Sequence, residues 1–406
     1  MEKHVLIVAT TQDFLLKFER DNVRLLQEMG YTVHYAANLK EPAYVSDGAR
    51  IRALGVEVHH IRAARSPYLL RENRAALSQL LKLVGRYPIR AIHCHTPVGG
   101  LLGRLTGRFS RERPVVVYTA HGFHFFRGAP LYNRLAFYPV ERGLARFTDV
   151  LVTINAEDYR AARKLPLPPG GKVFRLPGVG LDRALFSPLP APERQALRRR
   201  LGVGPQELFL LSVGELNLNK NHRVVLEALS LLKGQPGGLE GIRYGICGEG
   251  FSRPMLSQEI RERGLSDTVT LYGYRPDIPQ LLACADATVF PSRREGLGMA
   301  GLESLAMGVP VLAADNRGTR EYMVHGKNGL VYPWDAPAGF ARGIALLRGM
   351  DPARRQAMSR RCVDSVAPFD RSRSQQVMGA VYREMDRKVR ERYETGPLGQ
   401  RSNGLV

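Results

Sequence analysis

Acidic residues are scarce in this 406-residue chain: 38 Asp and Glu stand against 59 Lys and Arg, a formal net charge of +21. An excess of that size points to an anionic partner, such as a phosphorylated substrate, phospholipid or nucleic acid. The deficit is uneven, because Met1 to Arg175 holds 27 basic and 14 acidic residues, or +13. Cysteine is also sparse. Cys94, Cys247, Cys284 and Cys362 are scattered without a C-x-x-C pair, which excludes a zinc knuckle and a disulfide framework and fits a reducing cytoplasm. No apolar run approaches the ~18 residues that span a bilayer, and Met1-Glu-Lys-His4 runs straight into a strand-like segment without the outline of a signal peptide. The first turn, Ala9-Thr-Thr-Gln-Asp-Phe14, lacks G-x-G-x-x-G, which argues against a dinucleotide-dependent dehydrogenase. There is no short-period repeat and no low-complexity tract.

What is present is a repeated alternation of short β-branched runs with helix-like segments, the pattern of parallel sheets flanked by helices. The first half offers strands at His4–Ala9, Thr32–Ala37, Val56–Ile61, Ala91–His95, Val115–Thr119 and Val150–Ile154. The second offers Leu208–Val213, Arg243–Cys247, Val269–Tyr272, Ala287–Phe290, Val309–Ala314 and Gly329–Tyr332. Length alone favours two domains. Residues 1–180 read as the first, a Pro-, Gly- and Arg-rich stretch at 181–204 as a linker, and 205–368 as the second. In 369–394, Val377, Met378, Val381, Tyr382 and Met385 recur at helical spacing, and 395–406 reads as a disordered tail.

The stretch Phe290 to Asp315 reads as strand, glycine turn, helix and strand, with Glu295 in the turn and Glu303 about one turn inside the helix. Such a junction aims free backbone amides of a helix N-terminus at the end of a sheet, where phosphate is favoured. Leu211-Ser-Val-Gly-Glu-Leu-Asn-Leu-Asn-Lys-Asn-His222 is a second strand-to-helix turn. Its Lys220 is either a pyrophosphate ligand or a solvated loop lysine. Cys247-Gly-Glu-Gly250 and Tyr272-Gly-Tyr-Arg-Pro-Asp277 also end strands; the first is a turn or a site, and Arg275 is a base-stacking group or a surface arginine. In the first half, His121 follows Val115–Thr119 at the lip of the sheet. His93 and His95 share a face of the preceding strand, where His95 either lines an acceptor site or belongs to the core. His121-x-x-His124 lacks a third ligand at sensible spacing, so no metal site is read there. Arg62, Arg65, Arg71 and Arg74 interleave with Tyr68, Leu69 and Leu70, which suits either an anionic headgroup surface or a solvated helix start.

The Glu295–Glu303 segment resembles the E-x7-E signature of retaining family 4 glycosyltransferases, and Gly214 to Asn221 resembles that family's G-R-L-x-x-x-K-N block. The resemblance runs from about Val5 to Tyr382. It implies a GT-B fold, an α/β architecture of two Rossmann-like domains whose parallel sheets face a central cleft, with the last helix bracing the N-terminal domain. It implies transfer of a hexosyl or N-acetylhexosaminyl group, with retention, from a nucleotide sugar, most simply UDP-linked, to a lipid-linked or saccharide acceptor in cell-surface polysaccharide synthesis. Carried over by position, His121, Glu295 and Lys220 are catalytic. Gly214, Lys220, Asn221, Gly248, Arg275, Glu295, Gly296, Leu297, Gly298, Met299 and Glu303 bind the nucleotide sugar, with Glu303 on the ribose. Residues near Lys17, together with His95, fall on the acceptor side. Arg62, Arg65, Tyr68 and Arg71 are the surface for a polyprenyl-diphosphate-linked acceptor and an anionic membrane, consistent with peripheral attachment to the inner face. No cofactor, essential metal or nucleic acid is expected. One departure stands out: Glu215 occupies a position where many members carry Arg, removing a positive contact to the diphosphate. A same-fold nucleotide-sugar epimerase would need further acid and base groups, and a basic nucleic-acid-binding protein would need a recognition module, neither of which is evident.

Overall fold

The structure, a computed structural model, describes residues 2–40 and 48–395. It forms two compact units, Met1–Val179 with Ser372–Val406, and Gly180–Arg371. Residues 396–406, read above as a tail, lie outside the described residues.

The first unit is built on seven strands: β1 (His4–Thr11), β2 (Thr32–Asn38), β3 (Glu57–His60), β4 (Ile89–His95), β5 (Val115–Ala120), β6 (Val150–Thr153) and β7 (Lys172–Arg175). Their order is β3-β2-β1-β4-β5-β6-β7, and every pairing is parallel. Strands covered on both faces must be apolar throughout, and β1 and β5 are buried along almost their whole length. Close packing of the helix Pro97–Phe109 rests on glycine. A Cβ at Gly103 would stand 2.5 Å from Cys94 Cβ, and one at Gly107 would stand 2.3 Å from Val116 Cγ2.

The last helix, Arg371–Tyr393, completes this first unit. Asp386 accepts from Lys3 Nζ at 2.8 Å and from Tyr31 Oη at 2.9 Å, and Tyr382 Oη lies 2.9 Å from His93 Nδ1. Tyr382, Met385 and Val389 are fully buried. Each such apolar side chain contributes about 1.5–3 kcal/mol by leaving water.

The second unit has six parallel strands: β8 (Leu208–Val213), β9 (Ile242–Cys247), β10 (Val269–Gly273), β11 (Ala287–Phe290), β12 (Val311–Ala314) and β13 (Gly329–Tyr332). The order is β10-β9-β8-β11-β12-β13. Leu208, Leu210, Leu226, Leu229, Ile246, Phe340 and Ile344 form the centre of its larger core.

Two expectations change, and one strand is additional. The stretch 181–204 is not simply a linker, because it contains the helix Ala191–Arg200. Arg198 of that helix is buried and donates to Asp286 Oδ2 at 2.9 Å and to three backbone carbonyls, so it anchors the segment. The strand expected from Val309 begins at Val311, after Pro310, which has no N–H to give the ladder. The edge strand β7, Lys-Val-Phe-Arg, carries too few apolar residues to have been noticed.

Candidate functional site

In an open parallel sheet, ligands gather beyond the carboxyl ends of the strands where the strand order reverses. In the second unit that point lies between β8 and β11. The loop after β8 carries Gly214 and Lys220, and the loop after β11 carries Glu295. The two meet directly, with Lys220 Nζ 2.7 Å from Glu295 Oε1. Three features hold the lysine in place. Its backbone N–H donates to the Asn217 carbonyl and to Asn217 Oδ1, both at 3.1 Å. Its ammonium lies 5.0 Å from the centre of the Phe290 ring, and its stem passes over Gly214, where an added Cβ would stand 3.0 Å from Lys220 Cε.

Gly248 supports that crossing. Its φ is +143°, and a Cβ there would lie 1.9 Å from the Gly214 carbonyl oxygen, so only glycine lets the ends of β8 and β9 approach this closely. Asn221 turns the chain into the helix His222–Lys233 from a left-handed conformation, φ 56°. Its amide donates to the Pro291 carbonyl at 3.1 Å and the Trp334 carbonyl at 2.7 Å. The side chain therefore ties loops together, a positioning task that motif spacing could not distinguish from ligand contact.

The helix Met299–Ala306 begins at Gly298, φ 91°, and no side chain caps it. An uncapped start leaves backbone N–H groups for an anion or water. Gly298 also accepts from Tyr322 Oη at 3.2 Å. Leu297 is buried, so that residue can offer a ligand only its backbone, whereas Gly296 and Met299 are half-buried at the turn. The Glu303 carboxyl, on the same helix, has no hydrogen-bond or ion-pair partner among the described residues. Burial pushes its carboxyl up to about 7. Burial, and then the charges of Glu295 and Glu303, hold the Tyr322 phenol well above its usual value.

Arg275, in the loop after β10, forms a two-pronged pair with Asp277, Nε to Oδ1 at 2.7 Å and Nη2 to Oδ2 at 2.6 Å. It forms no hydrogen bond with Lys220 or either glutamate. Glu215 is exposed. Sequence reasoning missed Arg317, a buried cation whose Nε donates to the Glu295 carbonyl at 3.2 Å. No motif marks it, because it approaches from a loop 22 residues away.

In the first unit the reversal lies between β1 and β4, and its end is lined with histidines. His95 is 1% exposed, which removes it from any surface; the preference of the parallel sheet for doubly buried strands explains the correction. Its Nδ1 lies 3.3 Å from His121 Nε2, and its Nε2 faces Glu19 Oε2 at 3.5 Å. Glu19 closes a short π-helical turn, Leu15–Glu19, an irregularity that sequence spacing does not reveal. Desolvation lowers His121 to about 4 and His93 to about 3, and raises Glu19 to about 8. Each of these shifts favours the uncharged form. Lys17, from the same turn, is paired with Asp13 at 2.5 Å.

Elsewhere in this unit Arg62, Arg65, Tyr68, Leu69, Leu70 and Arg71 are exposed where the helix Leu70–Arg86 begins. Buried Asn73 braces the loop, accepting from Ala64 N at 3.1 Å and donating to the Ser66 carbonyl at 3.0 Å. No described helix is long and apolar enough to cross a membrane.

Comparison with known proteins bears on both units. Residues 193–361 match the family described as glycosyl transferases group 1, and residues 20–177 match the glycosyl transferase 4-like domain. Putative glycosyltransferase EpsD of Bacillus subtilis is 39% identical over 348 residues, 86% of this chain and 88% of that one. The UDP-Gal:alpha-D-GlcNAc-diphosphoundecaprenol alpha-1,3-galactosyltransferase of Escherichia coli is 26% identical over 304 residues, 74% of this chain and 76% of the other. Among solved structures, Anabaena HepE in complex with UDP and glucose superimposes with a TM-score of 0.74 at 18% identity, covering 94% of this chain and 100% of HepE.

Proposed function

The chain belongs to the group 1, family 4-like glycosyltransferases and has the GT-B fold, and from that premise we propose that it moves a sugar, with retention, from a UDP-sugar to a lipid-diphosphate-linked saccharide. The observation that carries this reading is the Lys220–Glu295 contact at 2.7 Å beside the uncapped start of the helix Met299–Ala306.

The chemistry follows from charge. Breaking a glycosyl–diphosphate bond leaves negative charge on the departing oxygens. Preorganised cations and backbone amides aimed at that charge supply the largest catalytic term in many enzymes. Lys220 takes the diphosphate, assisted by the amides after Glu295. Its carboxylate partner holds the ammonium in place until the donor arrives and then accepts from the sugar hydroxyls. Glu303, whose carboxyl has no partner among the described residues, accepts from the ribose hydroxyls. His121, neutral at physiological pH, exchanges hydrogen bonds with the sugar and carries no charge. In a front-face reaction the leaving phosphate removes the acceptor's proton, so no separate base is assigned. Arg275 lies along the base, and no metal is required by these roles.

The donor and acceptor halves of the proposal each have further support. The E. coli relative is named for transfer to a GlcNAc-diphosphoundecaprenol, and HepE was crystallised with UDP and glucose. The exposed Arg62, Arg65 and Arg71 around Tyr68, Leu69 and Leu70 suit anionic headgroups, each nearby cation adding about 1 kcal/mol. A polyprenyl-linked acceptor would place the enzyme peripherally on the inner leaflet, in surface-polysaccharide synthesis.

The test incubates purified protein with a panel of UDP- and GDP-sugars and a lipid-diphosphate saccharide, comparing wild type with Lys220→Ala and Glu303→Ala. Turnover with a UDP-sugar that collapses in both variants is expected. Unchanged turnover in both would remove the assignment. Liposome flotation, with Arg62, Arg65 and Arg71 reversed to Glu, tests the surface separately.

A further inference from the structure

The amino ends of β1, β2 and β3 carry a second histidine cluster that the proposed transfer reaction does not use. Register explains it. His34 of β2 is paired with Glu57 of β3 and with Leu6 of β1, so alternation puts His34, Glu57, His59 and His4 on one face of the sheet. His34 Nδ1 lies 3.0 Å from His59 Nε2 and 3.4 Å from Glu57 Oε2. One ligand atom from each of the three residues falls within 4.8 Å of the other two.

We propose that His34, Glu57 and His59 bind a divalent transition-metal ion, zinc being the best match, which clips edge strand β3 to β2. Three lines of geometry support this. Zinc holds nitrogen and oxygen ligands at about 2.0–2.2 Å, so the edges of its tetrahedron are about 3.3 Å, close to both separations above. Next, a ligating histidine normally engages its other ring nitrogen with a fixed partner. His34 Nε2 does so with His4 Nδ1 at 2.8 Å, and His4 Nε2 faces Glu2 at 3.8 Å. Finally, the burial is graded: His34 is fully buried beneath the Tyr87 ring, His59 is half-buried and Glu57 is exposed, giving an ion a fixed floor and an open side for entry and a water ligand.

A chain of hydrogen-bonded imidazoles alone explains less. The Nδ1–H of His34 can satisfy His59 or Glu57 but not both strongly, yet both converge on it. The other His/Glu cluster of this unit, Glu19, His93 and His95, is a poorer host. His93 has both ring nitrogens engaged, with Tyr382 at 2.9 Å and Thr119 at 2.8 Å, and all three residues are buried without an entry side.

The experiment strips the full-length protein with a chelator, removes the chelator, and titrates zinc chloride in competition with a chromophoric zinc indicator. One ion per chain with a dissociation constant below ~10 μM is expected, and weaker or non-stoichiometric binding overturns the proposal. His59→Gln and Glu57→Gln are the test variants, because both residues lie towards solvent, and their melting curves without metal establish that they fold. His59→Gln should weaken zinc about 100-fold and Glu57→Gln about tenfold, while His4→Gln, acting through His34, should cost about tenfold. Zinc should raise the melting temperature of wild type and not that of His59→Gln. Equal affinity in wild type, His59→Gln and Glu57→Gln overturns the site, as does loss of binding in His93→Gln alone.

Discussion

The carboxyl ends of the two sheets meet the same topological demand with opposite chemistry. In the second unit the reversal point presents an ammonium, a carboxylate and an uncapped helix start. In the first it presents buried imidazoles and a carboxyl that burial pushes up to about 8. The contrast shows that net charge is a poor guide to where ionic chemistry sits. The first half carries the larger basic excess, yet Arg62, Arg65 and Arg71 lie outward, Lys17 is neutralised by Asp13, and the groups around His121 are imidazoles whose charged forms burial disfavours. An ammonium and helix amides suit a diphosphate; neutral imidazoles suit hydroxyl groups, which exchange hydrogen bonds without a change in charge.

The sharpest way to break this contrast is Lys220→Ala, which should lower kcat/KM by about 10²–10³, the usual cost of removing one preorganised charge-stabilising donor. Steady-state kinetics with the preferred UDP-sugar measures it. Next comes the pH dependence of UDP binding. Burial raises Glu303 to about 7 without nucleotide, so the carboxylate proposed to accept from ribose is mostly protonated at pH 6 and mostly ionised at pH 8. Affinity should therefore rise about tenfold from pH 6 to pH 8. UDP's own phosphate titrates in both wild type and Glu303→Gln, so calorimetry reads the difference between their curves; parallel curves would refute the role. The same raised value means that stability without nucleotide is fullest below the unfolded carboxyl range and falls as pH rises through 7.

His121→Asn comes third. Removing a neutral hydrogen-bonding partner should cost kcat/KM about tenfold or less. A loss matching that of Lys220→Ala would show that the two ends are not chemically distinct. The smallest effect is expected from Glu215→Arg, which restores an exposed cation and should tighten UDP about two- to fivefold. No change in the UDP dissociation constant would mean that Glu215 lies beyond reach of the phosphate.

Much of this arrangement was legible in the sequence because parallel strands covered on both faces must be continuous apolar runs, as in β8 and β11. The Lys220 and Glu295 turns were legible for a related reason, since glycines and strand ends are local signals. Edge strand β7 was not, because half of its residues are charged. Helix Ala191–Arg200 was hidden because its anchor, Arg198 to Asp286, joins residues 88 apart and leaves no periodic trace. Glu19, His34 and Glu57 share that difficulty: their partners arrive through strand register and a π-turn, which only the folded chain displays.

The union of Lys3 and His93 with a helix made at the other end of the chain bears on synthesis. His93 and Tyr382 are 289 residues apart, and Lys3 and Asp386 are 383 apart. As the chain leaves the ribosome, the Gly180–Arg371 unit can finish folding while the earlier-made strands still wait for their closing helix. Loop closure over such separations is made cheaper once the intervening residues have condensed, because the effective tether is then shorter. The order of birth is thus inverted in the order of completion. A nascent chain that stalls before Tyr382 would leave His93 and Tyr31 without the Tyr382 and Asp386 that close on them, making the first unit the place where chaperones are expected to bind.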